Sequence, residues 1–223
     1  MLLLLSQLAG ADPARVLIFL LGVFVAVLLG MTVHEFAHNY VGYLMGDPNP
    51  ARQGRLTLNP LVHINPAGFL MFVIIGFGPL GSAPIAPYRM RNPRWGYLLA
   101  VAAGPFSNLL LAIAVTLIIR LLGLTPFGNS LLYLFLATVV VYNVLLFIFN
   151  LLPLYPIDGW HIVLSLLPAD LAIQWERHAQ TTQFIFFGLI MLSFLNLPID
   201  PIGMLIGQPL GAILRLLGIF LNL

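Results

Sequence analysis

The chain has 223 residues, of which 61% are hydrophobic and only 7% are charged, and its net charge is +2. Soluble domains carry about 25% charged residues, so this composition excludes an ordinary soluble fold and indicates a polytopic membrane protein. The small net charge gives no indication of nucleic-acid binding, and the absence of cysteine excludes disulfides and thiolate metal ligands.

Four apolar segments have the length and the period of membrane-spanning helices. They cover residues 16–46, 96–122, 130–151 and 180–196. A fifth segment, 203–223, is long enough to span, but Gly207 and Pro209 interrupt it, so an interfacial position is the alternative. The predicted fold is an all-α bundle of four to five transmembrane helices. We expect residues 1–223 to form one domain, because no segment outside the membrane is long enough to fold alone.

The loop between the first two predicted helices is the only extended polar region of the chain. Five of the nine basic residues, all of them arginine, lie in it: Arg52, Arg55, Arg89, Arg91 and Arg94. Arginine-rich loops stay on the cytoplasmic side of a membrane, so this loop is predicted to be cytoplasmic and the N-terminus to lie outside. The third helix then returns to the cytoplasmic side at its C-terminal end.

Two parts of this loop have their own patterns. Residues 68–80 are apolar but too short to span, which predicts a re-entrant or interfacial segment. Residues 55–59 alternate polar and apolar side chains, which is typical of a short strand, although an ordinary loop is the alternative. An exposed strand edge at 52–59 would be able to pair with the extended backbone of a bound peptide.

The first apolar helix contains His34, Glu35 and His38, and residues 16–45 include no other His, Asp, Glu, Lys or Arg. Residues four apart lie on one face of a helix, so both imidazoles can reach the same metal ion while Glu35 stands beside them. A charge buried in a bilayer costs at least a few kcal/mol, so such groups indicate function. A chance match to the motif is the weaker interpretation.

Two histidines supply half of a tetrahedral zinc site, and a third protein ligand has to come from elsewhere. Asp158 is the distinctive candidate, because Pro153 and Pro156 force an extended backbone before it and Gly159 permits a turn after it. The alternative is that Asp158 caps a short helix over residues 160–167. The residues by themselves leave both interpretations open.

Three motifs together resemble the site-2 protease family of intramembrane zinc metalloproteases, in particular its compact prokaryotic members without PDZ or CBS domains. They are His34-Glu35-x-x-His38, Gly104-Pro105-x-x-Asn108 and Asn150-x-x-Pro-x-x-Pro-x-Asp158-Gly159. The similarity runs from about residue 30 to about residue 165. The chain departs from the family at Trp160, where a second small residue is usual.

The resemblance implies that His34, His38 and Asp158 bind one zinc ion and that Glu35 is the general base. Zinc-bound water activated by Glu35 would then hydrolyse peptide bonds in the transmembrane segments of substrate proteins. The family implies that Asn150 donates to the substrate carbonyl or oxyanion, with an interhelical hydrogen bond as the alternative. Asn108 is expected to support or pack around the site.

The expected partners are single-span membrane proteins and the lipid bilayer, and no nucleic acid. We expect an integral protein of the prokaryotic cell (inner) membrane, with the active site toward the cytoplasmic side. A membrane metal-binding or transport protein is the competing class, but it would not need Glu35 beside a ligand. A relative that binds substrate without cleaving it is the other alternative, and the complete set of catalytic residues argues against it.

Overall fold

The computed structural model describes residues 12–75, 81, 83–126, 130–195 and 200–221. Within these residues the fold is all-helical, and the only β-type pairing is one antiparallel bridge between Ile64 and Gly81. The helices in chain order are α1 (Pro13–Leu44), α2 (Asn49–Arg52), α3 (Pro60–His63), α4 (Pro66–Ile75), α5 (Pro93–Leu121), α6 (Leu131–Asn150), α7 (Asp158–Leu166), α8 (Ala169–Arg177), α9 (Ala179–Phe194) and α10 (Pro201–Leu217).

The three long helices begin at side chains that satisfy free backbone N–H groups. Asp12 accepts from the N–H of Ala14, and Pro13 follows at the first helical position of α1. Asn92 accepts from the third residue of α5 in the same way, and Ser130 accepts from the third residue of α6. These capping residues are the ones that helix N-termini favour, so each start is determined locally.

Helices α1, α5 and α6 pack against one another and form the centre of the molecule. Small residues let the backbones approach, as is common between helices in membranes. A Cβ atom added at Gly22 would lie 3.0 Å from Cβ of Thr138 on α6. A Cβ atom at Gly30 would lie 2.7 Å from Oδ1 of Asn143, also on α6. The crossing of α1 and α6 therefore depends on these two glycines.

Among the described residues, three helices, α1, α5 and α6, are long and apolar enough to cross a membrane. They confirm three of the predicted spans. The predicted fourth and fifth spans are represented in the described residues by α9 and α10, which have 16 and 17 residues. At 1.5 Å per residue α9 is only about 24 Å long, shorter than the roughly 30 Å of a hydrocarbon core. The prediction of four to five spans is therefore not confirmed.

The strand predicted at residues 55–59 is wrong, because this segment has an irregular backbone. The reason lies in local side-chain hydrogen bonds that compete with strand pairing. Oγ1 of Thr57 accepts from the N–H of Asn59. Oδ1 of Asn59 accepts from the N–H of Leu61 and so caps the start of α3. Nε2 of His63, which is buried, lies 2.6 Å from the Thr57 carbonyl oxygen. A substrate-binding strand edge at 52–59 is accordingly not supported.

The apolar segment at 68–80 is described as far as residue 75, where α4 ends; residues 76–80 lie outside the described residues. Oδ1 of Asn65 accepts from the N–H groups of Ala67 and Gly68 and so caps the start of α4. The ring of Phe69 on α4 meets the ring of Phe24 on α1 edge to face, with centroids 5.6 Å apart. Helix α4 therefore runs beside the N-terminal half of α1.

Candidate metal centre

Three side chains from distant parts of the sequence converge at the centre of the bundle. Nε2 of His34 lies 3.0 Å from Nε2 of His38. Oδ2 of Asp158 lies 3.1 Å from the first of these nitrogens and 3.3 Å from the second. Donors around a tetrahedral zinc ion, with bonds of about 2.0–2.2 Å, are separated by roughly 3.3 Å. The triangle of donor atoms therefore has the size that one zinc ion requires.

The hydrogen bonds on the far side of each imidazole determine which ring nitrogen carries hydrogen. Nδ1 of His38 lies 2.8 Å from the carbonyl oxygen of Ala100, and a carbonyl can only accept. Nδ1 of His34 lies 2.8 Å from Oδ1 of Asn108, which is also an acceptor. Both Nδ1 atoms must therefore donate, and both Nε2 atoms present lone pairs to each other and to Asp158. Lone pairs that face one another this closely require a cation between them. Metal-binding histidines typically donate a hydrogen bond from their other ring nitrogen, as both Nδ1 atoms do here.

The backbone of α5 passes directly against the two imidazoles. Both histidines are buried, and a Cβ atom added at Gly104 would contact the ring of His38 and would lie 2.8 Å from Nε2 of His34. Any residue other than glycine would therefore occupy the space next to the donor atoms. Gly104 therefore allows the close approach of α5 to both rings.

Asp158 is the first residue of α7, and Ile157 is the N-cap, with no side-chain capping bond. The capping interpretation of Asp158 is therefore wrong, since its carboxylate points at the histidines instead. Oδ2 of Asp158 faces Nε2 of both histidines, so this carboxylate can serve as the oxygen ligand of a metal ion that they hold.

The start of α7 is packed closely against the stalk that precedes it. A Cβ atom at Gly159 would overlap the carbonyl groups of Leu151 and Leu152, so only glycine fits there. Trp160, where the chain departs from the family pattern, is buried and stacks on Trp175 of α8, with ring centroids 4.5 Å apart. The large side chain therefore packs toward α8.

Glu35 lies next to the first donor histidine and is also buried. Its Oε2 atom has no hydrogen-bond partner among the described residues. A Cβ atom added at Gly81 would lie 2.5 Å from Oε1 of Glu35, so the loop backbone at Gly81 passes directly over this carboxylate. A buried carboxylate oxygen without a partner is costly in a folded protein and is typical of a group that serves chemistry.

Comparison with known proteins identifies the family. The chain is 35% identical over 192 residues to a Bacillus subtilis protein with the curated name "Putative zinc metalloprotease YwhC", covering 83% of this chain and 84% of that protein. The chain belongs to the site-2 protease family of zinc metalloproteases. It is also 30% identical over 164 residues to the Rip2 protein of Mycolicibacterium smegmatis, similarly named a zinc metalloprotease, of which it spans 60%.

The Rip2 protein of Mycobacterium tuberculosis is 31% identical over 147 residues and is covered over 56% of its length. No family model and no solved structure matches the chain. Zinc is therefore the metal that the relatives' names specify, and the donor set of His34, His38 and Asp158 can hold one such ion. The predictions of a metalloprotease family and of a zinc cofactor are confirmed.

Asn150, predicted as the donor to the substrate carbonyl, is the last residue of α6. Its Nδ2 donates to the carbonyl of Leu146, 2.9 Å away on the same helix. One N–H of the amide remains for another acceptor, so its predicted role stays a prediction. This hydrogen bond lies within α6, so it is not the interhelical bond considered as the alternative.

Asp47 and His161 are polar residues that the sequence motifs do not include. A charge at a helix end is usually solvated, yet Asp47, just after α1, is fully buried. Its carboxylate accepts from the N–H of Asn49 at 3.0 Å and from the N–H of Ala86 at 2.7 Å, which ties the loop to the end of α1. The adjacent Gly46-Asp47 pair was the available signal, because a glycine there, at φ 109°, ends α1 and turns the carboxylate inward.

His161 lies on the first turn of α7, three residues after Asp158. Its ring meets the rings of Tyr97 and Tyr155, with centroids 5.8 Å and 6.0 Å apart, and its Nδ1 is buried without a partner among the described residues. Burial lowers the pKa of His161. A neutral imidazole therefore lies close to the donor triangle.

Proposed function

We propose that this protein is an intramembrane zinc endopeptidase that cleaves peptide bonds within the transmembrane segments of single-span membrane proteins. The observation that carries the proposal is the buried triangle of His34, His38 and Asp158 with Glu35 beside it, inside three helices of spanning length. A metal-transport protein has no need for a buried, unpartnered carboxylate next to the ligands. This feature favours hydrolysis over transport.

In this proposal His34, His38 and Asp158 would hold the zinc ion, because their Nε2, Nε2 and Oδ2 atoms converge. Zinc supplies a Lewis acid that lowers the pKa of water and stabilises negative charge on oxygen. Glu35 takes a proton from the attacking water through its free Oε2 and returns it to the nitrogen of the leaving amine. Burial of Glu35 strengthens these transfers, because little bulk water competes for its oxygens.

Asn150 is the proposed donor to the carbonyl oxygen of the scissile bond. It stands where α6 ends and the stalk to Asp158 begins, and one of its two amide hydrogens is not needed by Leu146. Removing one such donor typically slows acyl transfer about 100- to 1,000-fold. The rigid stalk would keep this donor at a constant distance from the Asp158 side of the centre.

We place the metal centre toward the cytoplasmic side, with the N-terminus outside. The arginine-rich loop after α1 supports this orientation, because positive loops are retained in the cytoplasm. We also propose that α4 is the descending arm of a re-entrant segment. Phe69 contacts Phe24 in the first half of α1, whereas Gly81 lies at the level of Glu35 in its second half. These two contacts, at different depths along α1, support this proposal.

The proposal is tested by separating zinc binding from turnover. Glu35→Gln keeps size and polarity but cannot accept the proton, so we expect one zinc per chain and a fall in turnover of at least about 100-fold. Zinc is measured by atomic absorption on purified protein. Cleavage is measured in liposomes on a panel of single-span proteins with helix-breaking residues in their spans.

Glu176→Gln, an exposed position on α8, is the matched control and should leave both quantities unchanged. His34→Ala should lose zinc and cleavage together. Cleavage by Glu35→Gln at the wild-type rate would contradict the mechanism. Wild-type protein that carries zinc but cleaves no member of the panel would indicate the non-cleaving relative instead.

A further inference from the structure

Two buried asparagines connect α6 to the metal centre by way of α5. Asn143 and Asn108 both have no solvent exposure. Nδ2 of Asn108 donates to Oδ1 of Asn143 at 3.1 Å and to the carbonyl of Gly30 at 2.9 Å. Oδ1 of Asn108 faces Nδ1 of His34 at 2.8 Å. The three spanning helices are therefore joined by one hydrogen-bonded chain that ends on a donor histidine.

The direction of every bond in this chain is determined by backbone carbonyls, which can only accept. Nδ2 of Asn143 lies 2.9 Å from the carbonyl of Val139, so this nitrogen donates and Oδ1 of Asn143 must face Asn108 as an acceptor. Asn108 then has to present its nitrogen to Asn143 and its oxygen to His34. An amide flip at either residue would set nitrogen against nitrogen or oxygen against oxygen.

These hydrogen bonds determine which ring nitrogen of His34 carries the hydrogen. Because Oδ1 of Asn108 can only accept, His34 must carry its hydrogen on Nδ1 and present the Nε2 lone pair to the donor triangle. Gly30 provides the space, since a Cβ atom there would lie 2.7 Å from Oδ1 of Asn143 and 3.3 Å from Nδ2 of Asn108. Packing between α1 and α6 thus bears directly on the geometry of the ligand.

We propose that Asn143 is a positioning residue of the metal centre that acts through Asn108 to hold His34 in its zinc-binding tautomer and orientation. This inference rests on the proposed function, because it assumes that His34 is a zinc ligand. It adds a contribution from α6, a helix that supplies no donor to the triangle. Asn143 does not touch the reacting groups, so its effect should appear in zinc affinity before it appears in chemistry.

The test is a double-mutant cycle on the purified full chain, with the zinc dissociation constant measured by chelator competition. Loss of a residue that orients a metal ligand typically weakens binding about 10- to 100-fold, and we expect this for Asn108→Leu. Asn143→Leu should weaken binding about 3- to 10-fold. In the double variant the Asn143 change should add nothing, because the residue it acts through is gone.

Thr138→Val is the matched control, since Thr138 is also buried on α6 and its hydroxyl donates to the Leu134 carbonyl of its own helix. It should leave zinc affinity within twofold of wild type. Asn143→Asp keeps an acceptor oxygen toward Asn108 and should bind zinc more tightly than Asn143→Leu. If Asn143→Leu does not fold, Gly30→Ala displaces the same oxygen without removing it and should weaken zinc binding in the same way.

Wild-type affinity in Asn143→Leu or Gly30→Ala, or fully additive effects in the double variant, would overturn this inference. His34→Ala separates it from the proposed function. If His34→Ala loses zinc while Asn143→Leu binds normally, the metal centre stands and the role of Asn143 is refuted. If His34→Ala retains full zinc, the ligand assignment itself is wrong.

Discussion

The two sides of the metal centre are held in different ways. His34 and His38 lie one turn apart on a continuous helix, and each ring is hydrogen-bonded to α5 on its far side. Asp158 follows a non-helical stalk instead, and the helix that it begins is held at its other end by Arg94. The guanidinium of Arg94 donates to the carbonyls of Ser165, Leu166 and Leu167.

This difference shows that the histidine side is a property of helix periodicity and short contacts, whereas the aspartate side is a property of packing along a whole helix. A change that enters the space of the rings should remove both nitrogen donors at once. A change along the stalk or α7 should displace one oxygen donor and leave the histidine pair intact. The variants below test this contrast, beginning with the largest expected effect.

Gly104→Ala should nearly abolish zinc binding, with a loss of more than about 100-fold in affinity. The added methyl group would overlap the ring of His38 and crowd Nε2 of His34, so both donors would have to move. Chelator competition measures the loss. Gly188→Ala on α9, where a Cβ atom meets nothing within 4 Å, is the control and should bind zinc normally. Wild-type affinity in Gly104→Ala would mean that the donor cluster is much less confined than described.

Gly159→Ala should weaken zinc binding by about 10- to 100-fold without abolishing it. Its methyl group would overlap the carbonyl groups of Leu151 and Leu152, so α7 must shift and carry Asp158 away from the histidines. The residual affinity should stay above that of Asp158→Ala, which removes the oxygen ligand altogether and should lose zinc. An affinity as low as that of Gly104→Ala would show that the two sides are not independent.

Arg94→Leu should have the smallest effect, about a two- to fivefold loss of zinc affinity. Three hydrogen bonds to the last carbonyls of α7 disappear, but they are exposed or only partly buried, so water replaces much of what they contribute. Arg52→Leu, an exposed arginine of the same loop, is the control for the loss of charge. A full loss of zinc in Arg94→Leu would make the far end of α7 as important as its start.

The sequence predicts those features of the fold that depend on nearby residues, such as helix spacing and the length of apolar segments. The spacing of His34 and His38 places them on one face of any helix, and the length of the apolar runs accounts for α1, α5 and α6. The strand predicted at 55–59 failed for an equally local reason. Alternation of side chains predicts a strand, but the side chains of Thr57 and Asn59 accept hydrogen bonds from nearby backbone N–H groups, and Pro60 starts a helix.

The tertiary structure decided which distant groups meet. Asp158 fits either a cap or a ligand by its neighbours in sequence, and only the packing of α7 turns its carboxylate to the histidines. Asp47 is a helix-end charge in sequence but a buried anchor of the loop in the fold. The tautomer of His34 depends on Asn108, 74 residues away, because hydrogen-bond direction passes between helices that no local pattern brings together.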